Sequence, residues 1–205
     1  MRNGLFITFE GIEGSGKSTQ IDLLDKYLQK QEHTVITTRE PGGTTIGAEI
    51  RQILLNPANT GMDYHTEVLL YAADRAQHVF EQIMPALEQD LTVISDRYID
   101  SSIAYQHYGR ELPLDFILEI NNRSVQWLKP DITFLLDVPV GVGLERATRV
   151  SADRIEQESF AFHERVRIGY LALAEKNPGR WRLIDGTQPV DAAHAAIVEA
   201  IKPLL

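Results

Sequence analysis

Gly11-Ile12-Glu13-Gly14-Ser15-Gly16-Lys17-Ser18 spells a complete G-x-x-x-x-G-K-[ST] loop between an apolar strand and an amphipathic helix, and that junction constrains the fold more than any other feature. The strand is read over residues 5–9, and the helix carries Ile21, Leu23, Leu24, Tyr27 and Leu28 at helical spacing. Glycines let successive backbone N–H groups turn inward around phosphate oxygens, and the helix N-terminus adds its dipole. Lys17 brings a point charge toward the outer phosphates and the Ser18 hydroxyl can ligate Mg²⁺. Gly11, Ile12, Glu13, Gly14, Ser15, Gly16, Lys17, Ser18 and the adjoining Thr19 are therefore the candidate nucleotide contacts. The plainer alternative is a glycine-rich turn that only starts a helix.

Apolar, β-branched runs recur at 34–38, 91–95, 132–137 and 181–184. Helical patterns separate them at about 17–31, 46–55, 65–89, 113–127, 140–149, 158–175 and 190–202. Strictly alternating strands and helices predict a parallel sheet covered on both faces, with ligands at the carboxyl ends of the strands. At 205 residues and 43% apolar composition the chain suits one α/β domain, expected to span 1–205.

Two segments interrupt the alternation. Residues 39–45 follow the second strand and read as a rigid turn at the active edge. Residues 149–157 are short, charged and interhelical, the profile of a mobile lid or of an ordinary solvated connection.

A net charge of −9 argues against an extended nucleic-acid surface, which is driven by spread positive charge. A small anionic ligand needs only a local cationic pocket. Arg39, Arg51, Arg75, Arg97, Arg110, Arg149 and Arg154 lie at loop or helix positions, and the planar guanidinium suits phosphate and nucleobase recognition. Surface ion pairs are the alternative for any one of them. There is no cysteine, and the six histidines show no ligand spacing, so a metal site built from protein side chains is not expected. The sequence runs into its first strand without a charged and apolar leader, and no apolar run approaches the ~20 residues of a membrane span. A cytoplasmic protein without membrane contact is the expectation.

Asp96-Arg97 ends the third strand, so its carboxylate is placed to hold Mg²⁺ directly or through water while Arg97 reaches an anionic substrate. Ser102, Tyr105 and Gln106 share one face if that stretch is helical. Tyr71 and Arg75, one turn apart, can address one planar ligand, although Tyr71 also fits simple core packing among Leu69, Leu70, Ala72 and Ala73.

Several motifs in order along the chain resemble bacterial thymidylate kinase. They are the phosphate loop with Glu13 inside it, Thr38-Arg39-Glu40-Pro41-Gly42-Gly43, Asp96-Arg97-Tyr98-Ile99-Asp100-Ser101-Ser102 with Ala104-Tyr105-Gln106, Pro130-Asp131, and Asp153-Arg154-Ile155-Glu156-Gln157-Glu158. The resemblance implies a three-layer P-loop NTPase fold, with a five-stranded parallel sheet, flanking helices and a short mobile lid near 149–157. It implies transfer of the ATP γ-phosphate to dTMP with Mg²⁺ at Ser18 and Asp96, and a homodimer. By the same resemblance Arg75 and Gln106 would bind thymine, Tyr71 would stack on it, and Tyr105 would crowd the position of a ribose 2′-hydroxyl. Arg39, Arg51 and Arg97 would bind the acceptor phosphate, Glu40 and Ser102 would complete the substrate site, and Glu13 would lie near the sugar 3′-hydroxyl. Lys17, Glu13, Arg97 and a lid arginine would form the catalytic set. Gly14 leaves the loop without a spare cation, so the lid must supply one, and Arg149 and Arg154 are both candidates.

Other readings are a regulatory GTPase, a kinase of another acceptor, and a non-catalytic nucleotide-binding subunit. No Asn-Lys-x-Asp guanine-reading segment occurs, which counts against the first.

Overall fold

The computed structural model describes residues 4–147 and 153–205. Five strands, β1 (Phe6–Glu10), β2 (Val35–Arg39), β3 (Thr92–Asp96), β4 (Ile132–Asp137) and β5 (Trp181–Asp185), form one sheet in the order β2-β3-β1-β4-β5. All four pairings are parallel, as the alternation of elements requires.

Strand β1 is central and buried along its whole length. Its side chains alternate between two helical layers, as the period of a strand dictates. Ile7 and Phe9 join Phe134 and Leu136 of β4 against Leu24 and Leu28 of α1 (Lys17–Lys30) and Ile197 and Ile201 of α9 (Val190–Ile201). Phe6 faces the other way, with Val93, onto Val79, Ile83 and Leu87. Leu135 and Trp181 continue that second layer against Phe162, Val166 and Tyr170 of α8 (Phe160–Lys176). Removing each such side chain from water contributes roughly 1.5–3 kcal/mol, so the two layers dominate what holds the sheet.

Helix starts follow side-chain capping. Thr44 accepts from Gly47 N at 2.9 Å ahead of α2 (Thr45–Leu55), Asp63 accepts from His65 N ahead of α3 (Tyr64–His78), and Ser159 caps α8. The helix expected over 65–89 is one continuous stretch that passes from α3 through a π-helical segment, Val79–Ile83, into α4 (Met84–Glu88). Residues 99–109, read as helical only conditionally, form α5 (Ile99–Ser102) and a second π segment, Ile103–Gly109. The expected lid begins outside the described residues, and 153–157 form a turn in which Asp153 Oδ1 accepts from Ile155 N and Glu156 N.

Candidate active site

Because the sheet is parallel, Glu10, Arg39 and Asp96 all emerge at one edge, the carboxyl ends of β1, β2 and β3. A cavity of about 350 Å³ opens there. Of the expected site residues, Glu13, Gly14, Lys17, Ser18, Arg39, Glu40, Arg51, Tyr71, Arg75, Asp96, Arg97, Ser102, Tyr105 and Gln106 line it together. Gly11, Ile12, Ser15, Gly16 and Thr19 shape the loop without lining the cavity, Arg154 lies off the lining, and Arg149 falls outside the described residues.

At the phosphate-loop end, Gly16 starts α1 with φ 96°, a left-handed conformation that a side chain would strain. Gly14 also has positive φ, and a Cβ there would run into the carbonyl oxygen of Gly143 on α7 (Val140–Ala147). That contact is the physical reason no basic side chain can stand at position 14. Lys17 is buried and its Nζ donates to Gly11 O at 3.1 Å and Ile12 O at 3.2 Å. Burial, then the Arg97 charge, lowers its pKa, so its ammonium is poorly solvated and strongly attracted to an incoming anion.

Asp96 Oδ1 is buried and has no hydrogen-bond partner among the described residues. An orphaned carboxylate oxygen in a cavity that Ser18 also lines supplies hard oxygens of the kind that fit Mg²⁺. Among the described residues no cluster of three or more His, Asp or Glu side chains can hold a metal alone.

The middle of the cavity is organised by Arg97, whose backbone is left-handed at φ 72°, an uncommon state for a residue with a side chain. Its Nη1 donates to Ser101 Oγ and Tyr170 OH, and its Nη2 to Glu13 Oε1 at 2.9 Å and Tyr105 OH at 3.1 Å. Tyr105 OH in turn donates to Glu13. Burial would raise the Glu13 pKa, but Arg97, Lys17 and Tyr105 outweigh it and hold the carboxyl low. Arg51 Nη1 donates to Pro41 O at 2.9 Å, which ties α2 to the turn after β2, and Arg39 stands exposed beside it.

At the far end Arg75 is fully buried. Its Nε donates to Glu40 Oε2 at 2.6 Å, Nη1 to Ser102 Oγ and Asn121 Oδ1, and Nη2 to Tyr98 O. A guanidinium has five N–H groups, so one N–H on Nη2 is left for a ligand. Glu40 Oε1 also takes His78 Nδ1, while His78 Nε2 meets the Thr38 hydroxyl. The Gln106 amide nitrogen donates to Glu67, leaving its oxygen as acceptor. Half-buried Tyr71 lines the same end, and its hydroxyl has no partner among the described residues.

Three buried groups essential to this geometry escaped the sequence reading. Glu10 accepts from Tyr98 N, Ser101 Oγ and Tyr170 OH, and burial followed by the Asp100 charge raises its pKa to about 7. A lone acid closing an otherwise apolar strand just before the loop was its signal. Glu67 and His78 complete a stripe with Tyr71 and Arg75 at helical spacing on α3, a polar face on a helix that otherwise reads as core.

Arg154, a candidate for the transition-state cation, is buried elsewhere. Its Nη2 donates to Glu67 Oε2 at 2.6 Å, its Nε to Leu54 O at 2.7 Å, and its backbone N to Leu55 O at 3.0 Å. The guanidinium thereby satisfies the Leu54 carbonyl, and the backbone N the Leu55 carbonyl, at the end of α2, where a positive charge is favourable.

The sequence model of the thymidylate kinase family matches residues 9–197. A thymidylate kinase of Halothermothrix orenii is 52% identical over 206 residues, covering 98% of this chain and 98% of the relative. One of Geotalea daltonii is 50% identical over 206 residues, covering 97% and 96%. The crystal structure of thymidylate kinase from Ehrlichia chaffeensis superposes with a TM-score of 0.80 at 36% identity, over 97% of this chain and 99% of that one.

Proposed function

The chain belongs to the thymidylate kinase family and phosphorylates dTMP with ATP as donor, and from that premise we propose how its residues divide the work. The observation that carries the assignment is one cavity with Lys17 and the phosphate loop at one end and the Arg75–Gln106 pair at the other.

Gly11 through Thr19 cradle the donor phosphates, with the Lys17 ammonium on the phosphoryl group in transfer. Ser18 and Asp96 hold Mg²⁺, which when bound neutralises charge on the donor phosphates. Arg39, Arg51 and Arg97 bind the acceptor phosphate, and Glu13 lies by the sugar 3′-hydroxyl with Tyr105 packed against the sugar. Tyr71 stacks on the base, Glu40 and Ser102 hold Arg75, and Arg75 and Gln106 read the base edge. An acceptor phosphate oxygen forms the new bond to the γ-phosphorus as the bond to the bridging oxygen of ADP breaks. The acceptor is already an anion, so no strongly activated base is needed, and catalysis rests on alignment and charge stabilisation. Arg154 anchors the far part of the lid segment to α2 and α3, which leaves Arg149 as the lid cation. The whole chain works as a single kinase domain, as a homodimer, in the cytoplasm. No helix of the described residues is long and apolar enough to cross a membrane.

A coupled assay of ADP release against a panel of nucleoside monophosphates tests this reading. The free Arg75 N–H donates to a carbonyl at the base 4-position but meets an amino group in cytosine. Buried groups left unpaired discriminate by ~10⁴-fold or more, whereas a missing methyl costs only ~10–200-fold. The expected order is dTMP, then dUMP at reduced but measurable efficiency, with dCMP, AMP and GMP near background. A preference for dCMP or AMP in kcat/KM would contradict the base-site assignment.

A further inference from the structure

Resting on the reading that Gln106 faces the base, we propose that Glu67 is a specificity-positioning residue. By accepting from the Gln106 amide nitrogen, it holds the amide oxygen toward the cavity, so the site selects a base that offers an N3–H.

Glu67 is fully buried on α3, and four donors converge on its carboxylate. Oε1 accepts from Gln106 Nε2 at 3.1 Å and Arg110 Nε at 3.2 Å, and Oε2 from Arg110 Nη2 at 3.1 Å and Arg154 Nη2 at 2.6 Å. An ionised carboxylate offers about four lone-pair positions and no proton, so Glu67 is saturated and can only accept. Burial pushes its pKa up, but hydrogen bonding and charge from Arg110, then Gln106 and Arg154, hold it below the ordinary carboxylate value. Two guanidiniums fix the carboxylate, and Arg110 also pairs with Glu158. A flipped Gln106 would set its amide oxygen against this carboxylate, acceptor against acceptor, in a site closed to water, and would lose a buried hydrogen bond as well.

The consequence concerns the base. Uracil and thymine carry a hydrogen on N3, which the outward amide oxygen accepts. Cytosine has a bare N3 and would need the amide nitrogen, the orientation Glu67 forbids. Arg75 tests the 4-substituent independently, so the two residues read adjacent atoms of one edge.

The test measures kcat/KM for dTMP and for 5-methyl-dCMP, which keeps the methyl group but changes the 4-substituent and N3. In Glu67→Gln the residue at 67 can face Gln106 with either end of its amide, so Gln106 is free to turn. The dTMP to 5-methyl-dCMP ratio is expected to fall at least about tenfold, roughly 1.4 kcal/mol, with part of the change a gain on 5-methyl-dCMP. Damage to the fold would lower both acceptors together and leave the ratio in place, so an unchanged ratio in a folded variant overturns the inference. Gln106→Leu separates the premise: if it leaves dTMP efficiency intact, the base-site reading itself fails, whereas a loss there with an unchanged Glu67→Gln ratio fails Glu67 alone. Should Glu67→Gln not fold, the intact enzyme decides. The Gln106 side-chain N–H signals, assigned by their loss in Gln106→Leu, should exchange slowly with solvent, and exchange at the rate of an exposed amide overturns the orientation.

Discussion

Lys17 shows how the fold positions a single buried charge. Its ammonium is lodged among the carbonyls of its own loop, 8% exposed, with burial opposing the charge it carries. An anion entering the cavity relieves that desolvation, so the lysine is matched to the phosphoryl group in transfer and not to the core. Lys17→Ala is expected to lower kcat on the order of a thousandfold, the scale for losing a principal transition-state donor, with thermal unfolding close to wild type. Turnover above a tenth of wild type in a folded Lys17→Ala would remove the lysine from the mechanism. At this scale, residues inside a fixed-spacing motif were legible in the sequence, because a phosphate cradle needs those types at those intervals. Glu10, Glu67 and His78 were not, since each acts by meeting partners distant in the chain: Tyr170, Arg154 and Glu40.

At the scale of elements, the strands were readable to within a residue at either end, and the shortfall at the carboxyl ends of the first three has one cause. The apolar runs at 5–9, 34–38 and 91–95 stop before a charged residue, whereas β1, β2 and β3 each extend one residue further, to Glu10, Arg39 and Asp96. Those terminal charges are the ones the site uses, so hydrophobic patterning under-reads a strand where function begins. The stretch Ile99–Ser102 with Ile103–Gly109 has no clean helical period and is held by packing, with Ala104 and Tyr105 in the cluster of Phe162, Val166 and Tyr170. The lid arginines separate on the same grounds. Arg154 joins α2 to Glu67, so Arg154→Ala should lower the unfolding temperature and leave a buried carboxylate short of a partner. Arg149→Ala should instead lower kcat at least about tenfold more than it raises KM for dTMP, because the lost contact is to charge that develops in transfer. Steady-state kinetics and calorimetry on both variants distinguish the roles, and a kcat loss confined to Arg154→Ala would reverse them.

For the molecule as a whole, the burial of two carboxyls, Glu10 at the end of β1 and Asp74 on α3, is written into its pH dependence. Burial, then Asp100, raises the Glu10 pKa from 4.5 to about 7, and burial, then Glu40, raises Asp74 from 3.8 to about 6. The folded chain therefore holds both protons more tightly than the unfolded chain. Their stabilising contribution is complete below the unfolded values and is lost as pH rises through about 6 and then 7. Glu13 and Glu67, with depressed pKa values, act in the opposite sense, but only as pH falls below the ordinary carboxylate range. His194, lowered by burial, gains stability with rising pH over part of the same interval. The decisive quantity is accordingly a difference between proteins and not one slope. Between pH 5 and 8, the unfolding temperature of the wild type should fall relative to that of the double variant Glu10→Gln/Asp74→Asn, in which neither position titrates. Glutamine keeps an acceptor for Tyr98 N and asparagine one for Gly42 N, so the variant retains both backbone contacts. Parallel curves across that interval would mean that neither carboxyl carries a raised pKa in the folded enzyme.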